Sequence, residues 1–291
     1  MTCESTSSLS SRAIASWEAN AAYWDSTITK HGNKYWRRLQ EPSLTRLLKL
    51  ALSSSSPCRA LDLATGNGLC ARWLVRNGAT SVLATDASEN MLALARAHCE
   101  DGEESELARR EIRWRRVDVT SKSDLTALAR DEGPFEIVLM NMAIMDVADL
   151  EPLAGVLRDL LVENGVFVAT LLHPVFFTSN ATRNIEVRFD PVTGESEIAR
   201  GKIIREYMSV PPSLGIAVPG QPEKQIYFHR PMHELFTTFF KAGLVMDAME
   251  ELAFTEEDAE ERIESTTNFT QLPAILSFRM RLAQGKHAPG K

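Results

Sequence analysis

Residues 60–71 read Ala60-Leu-Asp-Leu-Ala-Thr-Gly-Asn-Gly-Leu-Cys-Ala71. An apolar run passes directly into a Gly-x-Gly turn and then into a helical pattern that begins near Leu69. Glycines at 66 and 68 allow positive φ and let the backbone approach a ligand that a Cβ would hold off, while the following helix offers free N–H groups. Eighteen residues beyond Gly68, a second apolar run, Ser81-Val-Leu-Ala-Thr-Asp86, ends in a carboxylate. A carboxylate at that distance can accept both hydroxyls of a ribose. The spacing Gly66-x-Gly68-x-x-Ala71 alone also satisfies the dinucleotide pattern of NAD enzymes.

Further residues bear on that choice. Asp62 precedes Gly66 by four positions, a third strand pattern over Ile112 to Val119 ends in Asp118-Val-Thr, and a fourth over Phe135 to Met140 ends in Asn141-Met-Ala-Ile-Met-Asp146. This quartet resembles the class I S-adenosylmethionine (SAM) methyltransferases, whose first motif is matched by Asp62-Leu-Ala64-Thr-Gly66-Asn-Gly68, with Ala64 where many members have a glycine. The resemblance covers roughly residues 55 to 175. It extends to Ser16-Trp-Glu-Ala-Asn-Ala-Ala-Tyr-Trp24 and Gly220-Gln-Pro-Glu-Lys-Gln-Ile-Tyr-Phe-His-Arg-Pro231, which look like small-molecule methyltransferases of the ubiquinone-biosynthesis-like type.

The resemblance implies SAM as cofactor, held by Asp62, Ala64, Gly66, Asn67, Gly68, Asp86, Ala87, Met91, Asp118, Val119, Asn141 and Met142. Asp86 would bind the ribose, Asp118 the adenine amino group with Val119 beside the ring, and Asn141 would sit where the methionine part and the acceptor meet. It also implies a Rossmann-like α/β fold: a seven-stranded, mostly parallel sheet of order 3-2-1-4-5-7-6 with the last strand antiparallel.

Composition suits a sizeable core, with 44% hydrophobic residues in 291 positions. A single domain is expected over residues 12–284, between disordered tails at 1–11 and 285–291. It divides into a helical cap (12–52), a cofactor-binding core (55–172), a substrate lid (173–230) and the end of the core sheet (231–284). Helical patterns fall at Ile14 to Tyr23, Tyr35 to Leu52, Leu69 to Asn77, Glu89 to Glu100, Ser123 to Arg130, Asp149 to Val162 and Pro231 to Lys241. Strand patterns at Val166 to Leu172, Leu244 to Leu252 and Ala274 to Met280 complete the sheet. After His173-Pro174, the turn residues Asp190-Pro-Val-Thr-Gly194 and the alternating runs Ile185 to Phe189 and Ile203 to Tyr207 indicate a small β insertion.

A net charge of −7 argues against a nucleic-acid substrate, which usually requires a basic face. The run Arg109, Arg110, Arg113, Arg115, Arg116 reads as a charged sheet edge rather than an RNA surface. No apolar run approaches the roughly 20 residues of a membrane span, and the first residues carry no secretory pattern. Cysteines 3, 58, 70 and 99 show no metal-binding or disulfide spacing, so a cytoplasmic protein without metal is expected, as monomer or homodimer.

His173, directly after the fifth strand, is the first candidate general base, and it could equally serve to hydrogen-bond lid backbone. His229 is the second, with Arg230 suited either to a substrate carboxylate or to anchoring the lid. Tyr23, Trp24 and Tyr35 are candidates to line an acceptor pocket with Met142, within an aromatic group that also holds Trp17 and Trp36. Asp146 is read as a helix cap or a base. The expected function is SAM-dependent methyl transfer to an O, N or possibly C atom of a small-molecule acceptor. The same motifs also allow a SAM-fold catalyst of cyclisation or rearrangement, or a non-catalytic SAM-binding regulator.

Overall fold

The computed structural model describes residues 5–54, 56–100, 106, 108 and 111–283. The expected tail at 285–291, Cys3, Arg109 and Arg110 lie outside the described residues. From residue 59 the chain alternates strand and helix: β1 (Arg59–Leu63), α3 (Leu69–Arg76), β2 (Ser81–Asp86), α4 (Glu89–Glu100), β3 (Ile112–Arg116), α5 (Lys122–Glu132), β4 (Phe135–Asn141), α6 (Glu151–Leu160) and β5 (Leu161–Leu172). Helix α7 (Met232–Lys241), β10 (Leu244–Leu252) and β11 (Ile275–Leu282) finish the core. The sheet order is β10-β11-β5-β4-β1-β2-β3. Strand β11 runs antiparallel to β5 and β10, and the remaining pairs are parallel. This is the order 3-2-1-4-5-7-6 that the resemblance implied.

Side chains that alternate along each strand explain why the sheet is covered twice. Leu61, Leu63, Val138, Met140 and Phe167 pack into one layer with α5, α6 and α7. Ala60, Ile137, Leu139, Val166 and Val168 pack into the other with α3, α4 and α2 (Glu41–Leu52). With both faces buried, the central strands carry almost unbroken apolar runs instead of alternation. Each fully buried large apolar side chain contributes about 1.5–3 kcal/mol, and the Phe167, Phe239 and Phe278 rings meet at centroid distances of 5.3 to 6.1 Å.

The N-terminus departs from expectation. Helix α1 spans Thr6–Ile28, capped by the Ser5 hydroxyl, which accepts from the Ser8 N–H at 3.2 Å. The Ser/Thr-rich start suggested disorder because it offers little apolar surface, yet Ser10 and Ala13 are buried, and Ala13 packs with Ile226 and Phe228. The second cap helix is interrupted: Trp36–Gln40 form a π-helical turn before α2. Pro42, in the first turn of α2, has no N–H to continue a tighter ladder.

Strand β3 stops at Arg116, short of Val119, because Asp118 turns the chain by accepting from the Thr120 N–H and hydroxyl at 2.8 and 2.7 Å. It is the sheet edge, and its arginines are paired along it, Arg113 with Glu132 at 2.6 Å and Arg115 with Asp131 at 3.2 Å. Residues 173–230 form a π-helical turn (Pro174–Thr178) and two short antiparallel pairs, β6 (Thr182–Phe189) with β7 (Ser196–Ile203) and β8 (Ser213–Gly215) with β9 (Gln225–Tyr227). The second run of this insertion forms its strand at 196–203 rather than 203–207, since the Asp190 to Gly194 turn sets the register.

Gly68 combines a φ of +76° with close packing: an added Cβ would lie 2.9 Å from Trp114 Cη2 and 3.0 Å from the Ala95 Cβ. Left-handed strain of about 1–2 kcal/mol adds to overpacking of about 1–3 kcal/mol. Gly68→Ala is expected to lower unfolding free energy by about 2–5 kcal/mol in urea titration, and an unchanged midpoint would refute this reading of the turn.

Candidate functional site

Beyond the end of β1 the backbone turns through three left-handed residues, Ala64 (φ 52°), Gly66 (φ 56°) and Gly68 (φ 76°). The Asp86 carboxylate holds this loop to the end of β2. It accepts from the Gly66 N–H at 2.8 Å and from the Ser88 N–H at 2.9 Å. Burial raises the Asp86 carboxyl, and the N–H groups of Ser88, Gly66 and Ala87 oppose that rise. Asp62, at the floor, accepts from the Thr65 hydroxyl on Oδ2 at 2.5 Å, while its Oδ1 has no partner. Burial, with the Asp86 charge adding to it, pushes Asp62 up to about 7.

Other expected cofactor residues surround the loop. The Asn67 amide donates to Asp25 Oδ1 of α1 at 2.9 Å. Met91 is buried, and its N–H donates to the Ser88 hydroxyl at 3.0 Å. Asn141 is fixed by a donation to Gln40 Oε1 at 3.0 Å and an acceptance from the Thr170 hydroxyl at 2.6 Å. Next to it, Met142 takes a φ of 55°. All the expected cofactor residues except Gly68 line one cavity of about 580 Å³, with Ala87, Asp118 and Val119 on its wall. Gly68 instead forms the N-cap of α3.

The cavity continues past Asn141 into an aromatic chamber. Trp24, Tyr35 and Met142 line it, as do Trp17, Trp36, Phe177 and Tyr227. Trp17 and Trp24 stack at 5.6 Å, and Tyr35 meets Phe254 edge-on at 5.0 Å. The 173–230 insertion contributes Phe177, Asn180 and Arg183. Behind Phe177, Lys202 Nζ lies 3.3 Å from the ring centroid and donates to the Phe176 carbonyl at 2.6 Å.

Four expected residues stand elsewhere. His173 is buried behind the wall: its Nε2 pairs with Glu251 at 2.8 Å and its Nδ1 accepts from the Val175 N–H at 3.3 Å, so neither nitrogen is free for a substrate proton. Burial lowers the His173 pKa, with Glu251 opposing. His229 likewise uses both nitrogens, on the Thr178 hydroxyl at 2.9 Å and the Tyr207 carbonyl at 2.6 Å. Arg230 donates to the carbonyls of Val147 and Ala148 at 2.7 and 2.9 Å, which makes it an anchor of the insertion and leaves no fork for a carboxylate. Tyr23 stays outside the cavity lining and donates to the Pro219 carbonyl at 2.9 Å.

Conversely, Asp146 is no helix cap. It ends a 3-10 turn (Ile144–Asp146), and Asp149 accepts from the Glu151 N–H at 2.9 Å at the start of α6. Asp146 lines the chamber instead, where burial holds its carboxyl well above the usual carboxylate range. Gln225, which lies in the quoted 220–231 stretch but is given no role there, and Thr266, which no sequence motif marks, also line it.

Residues 60–165 match the family model described as a methyltransferase domain. The chain is similar to an S-adenosylmethionine-dependent methyltransferase from Mesorhizobium loti, at 22% identity and a TM-score of 0.58, over 82% of this chain and 97% of that one. It is similar to the protein bound to the Trm112 methyltransferase activator in a Haloferax volcanii complex, at 16% identity and TM-score 0.59, over 95% and 100%. A glycopeptide N-methyltransferase, MtfA, solved with SAM, shares 13% identity and a TM-score of 0.52 over 82% and 93%. At these identities the structures show a shared fold. No curated protein matches the chain by sequence. The domain match makes residues 60–165 a methyltransferase domain, set in a seven-stranded sheet of the order given above.

His173→Ala removes a buried side chain and leaves the Val175 N–H without its acceptor. Unfolding free energy is expected to fall by about 1–3 kcal/mol, while affinity for SAM stays within about twofold of wild type. Calorimetric titration with SAM beside urea unfolding separates the two, and lost affinity at full stability would return His173 to the site.

Proposed function

We propose that the chain transfers the methyl group of SAM to a nitrogen or oxygen of a small-molecule acceptor enclosed in the aromatic chamber. One observation carries the reading: a single cavity joins the Gly66 loop and its aspartates to a chamber walled by Trp17, Trp24, Tyr35 and Phe177.

The residues present fit SAM. An added Cβ at Gly66 would meet no atom within 4 Å, so the loop leaves a cradle that only a glycine keeps open to a ligand. The Asp62 Oδ1, without a partner, offers an acceptor for the methionyl ammonium. Asp86 would hold the ribose hydroxyls, Asp118 and Val119 the adenine, and Asn141 and Met142 the boundary with the acceptor. When bound, the sulfonium supplies a methyl group already activated for in-line transfer. The chain's own task is to orient the acceptor and exclude water.

An acidic chain whose edge arginines are paired with acids supports a small acceptor over a nucleic acid. Among the described residues no helix is long and apolar enough to cross a membrane. Buried thiols at Cys58, Cys70 and Cys99, none of them in a disulfide, agree with a reducing, cytoplasmic setting.

Asp86→Ala is expected to weaken SAM binding about 10- to 100-fold, given about 1.5–3 kcal/mol for hydrogen bonds to a charged group, with the fold retained. Unchanged affinity would remove Asp86 from the ribose role. Proton linkage gives a second check. With Asp62 near 7 in the free protein, an ammonium partner favours the carboxylate, so binding releases a proton below that pH and affinity rises as pH increases toward 7. Calorimetry in buffers of different ionisation enthalpy measures the release, and its absence at pH 6 would place the ammonium elsewhere.

A further inference from the structure

At the chamber's far side the fold leaves several buried polar atoms unsatisfied. Both carboxylate oxygens of Asp146 are shut off from solvent with only the Trp17 indole to favour their charged form, and Trp24 Nε1 and Gln225 Nε2 are shut off without a hydrogen-bond partner. All three side chains line the same cavity as the Gly66 loop. They are also contiguous. Trp24 stacks on Trp17, whose indole lies beside Asp146 and favours its charged form. Tyr227 feels the Asp146 charge, and its hydroxyl donates to Gln225 Oε1 at 3.4 Å.

Among the described residues no cation answers this carboxylate. Arg230 grips the carbonyls on either side of it, and Arg183, the one arginine or lysine among the described residues that line the cavity, donates to the Thr266 hydroxyl at 3.2 Å. A buried carboxylate without a counter-charge costs several kcal/mol to ionise. A ligand that brings positive charge recovers that cost, whereas a neutral hydroxyl satisfies one oxygen and leaves the charge. Four aspartates, at 62, 86, 118 and 146, line the cavity against one arginine, so a cationic ligand meets carboxyl groups that its charge draws into the ionised form.

We propose that Asp146 anchors an amine acceptor and takes its proton, with the rings of Trp17, Trp24 and Tyr227 around the nitrogen and the N–H groups of Trp24 and Gln225 on an oxygen of the same molecule. This rests on the methyl-transfer reading and narrows its acceptor to an amine. One proton passes from the ammonium to Asp146 and leaves the nitrogen lone pair free. That pair forms the N–C bond as the S–C bond breaks, the S–C electrons pass to sulfur as a neutral thioether, and the methylated nitrogen carries the remaining charge. Burial that raises the Asp146 pKa makes it a stronger base than an exposed carboxylate.

The test pairs benzylamine and phenethylamine with benzyl alcohol and 2-phenylethanol, titrated by calorimetry into wild type and Asp146→Asn in the presence of S-adenosylhomocysteine. Wild type is expected to bind an amine at least tenfold tighter than its alcohol. Asp146→Asn should lose that preference while its SAM affinity stays within twofold. Its melting temperature should equal or exceed that of wild type at pH 8, because an isosteric amide replaces a buried carboxyl that has no counter-charge. Amines no tighter than alcohols, no binding of either amine by a protein that binds SAM, or full amine affinity in Asp146→Asn would overturn the proposal. Since the wild-type comparison requires no variant, it stands even if Asp146→Asn is unstable. A wild type that fails to bind SAM would instead overturn the reading on which the proposal rests.

Discussion

The left-handed turn after β1 is the constraint on which the site depends. A chain leaving a buried parallel strand must clear its carboxyl edge without filling the space above it, and Ala64, Gly66 and Gly68 do so with φ values of 52°, 56° and 76°. Ala64 takes up a conformation that costs an L-residue about 1–2 kcal/mol, which a glycine at that position would avoid. Asp86 helps hold the strained turn by accepting the Gly66 N–H. The two glycines serve different ends. Gly68 is closed in by Trp114 and Ala95, whereas Gly66 faces open space. One keeps the turn packed against β3 and α4, and the other keeps the cavity clear.

Helix α1 then converts an open sheet edge into an enclosed chamber. From one helix, Asp25 holds Asn67 of the loop and His98 of α4, Glu18 holds the Ser88 hydroxyl, and Asn20 exchanges hydrogen bonds with Glu223 beside β9 at 2.8 and 2.9 Å. These tie the glycine loop and the 173–230 insertion to a common element. The same helix presents Trp17 and Trp24 to the cavity. Wall and clamp are therefore one structure, and displacement of α1 would open both ends of the cavity together.

The same division separates what the sequence makes legible from what it hides. Asp62, Asp86, Asp118 and Asn141 sit near the ends of parallel strands, so spacing alone brings them to one edge, and their place around the cavity can be read from the sequence. His173 also follows a strand, but β11 inserts beside β5, and the His173 N–H continues that ladder to the Ala274 carbonyl at 3.0 Å. Its ring then meets Glu251 of β10, about eighty positions away in sequence. Arg230 escapes a sequence reading for a similar reason: the carbonyls it binds are exposed by the 3-10 turn after β4, which no local pattern announces. The Ser-rich N-terminus suggests disorder because the packing that holds it, Leu9 and Ala13 against Ile226 and Phe228, comes from more than two hundred residues on.

Asp146 shows the same limit from the opposite side. Aspartate just before a helix is most often a cap, and only the three-dimensional arrangement shows that Leu150 holds the N-cap, with Asp149 accepting from the Glu151 N–H beside it, while Asp146 turns inward. An unpaired buried carboxylate lowers the stability of the free fold, as does the strained turn at Ala64, and both lie on the same cavity. Proteins hold stability above a threshold rather than at a maximum, so sites of strain and unpaired charge persist where a ligand relieves them. Asp62 and Asp146 therefore give the cavity two buried positions where positive charge is favoured, one by the glycine loop and one among the indoles. A sulfonium donor and an amine acceptor would each arrive with the charge that its end of the cavity lacks.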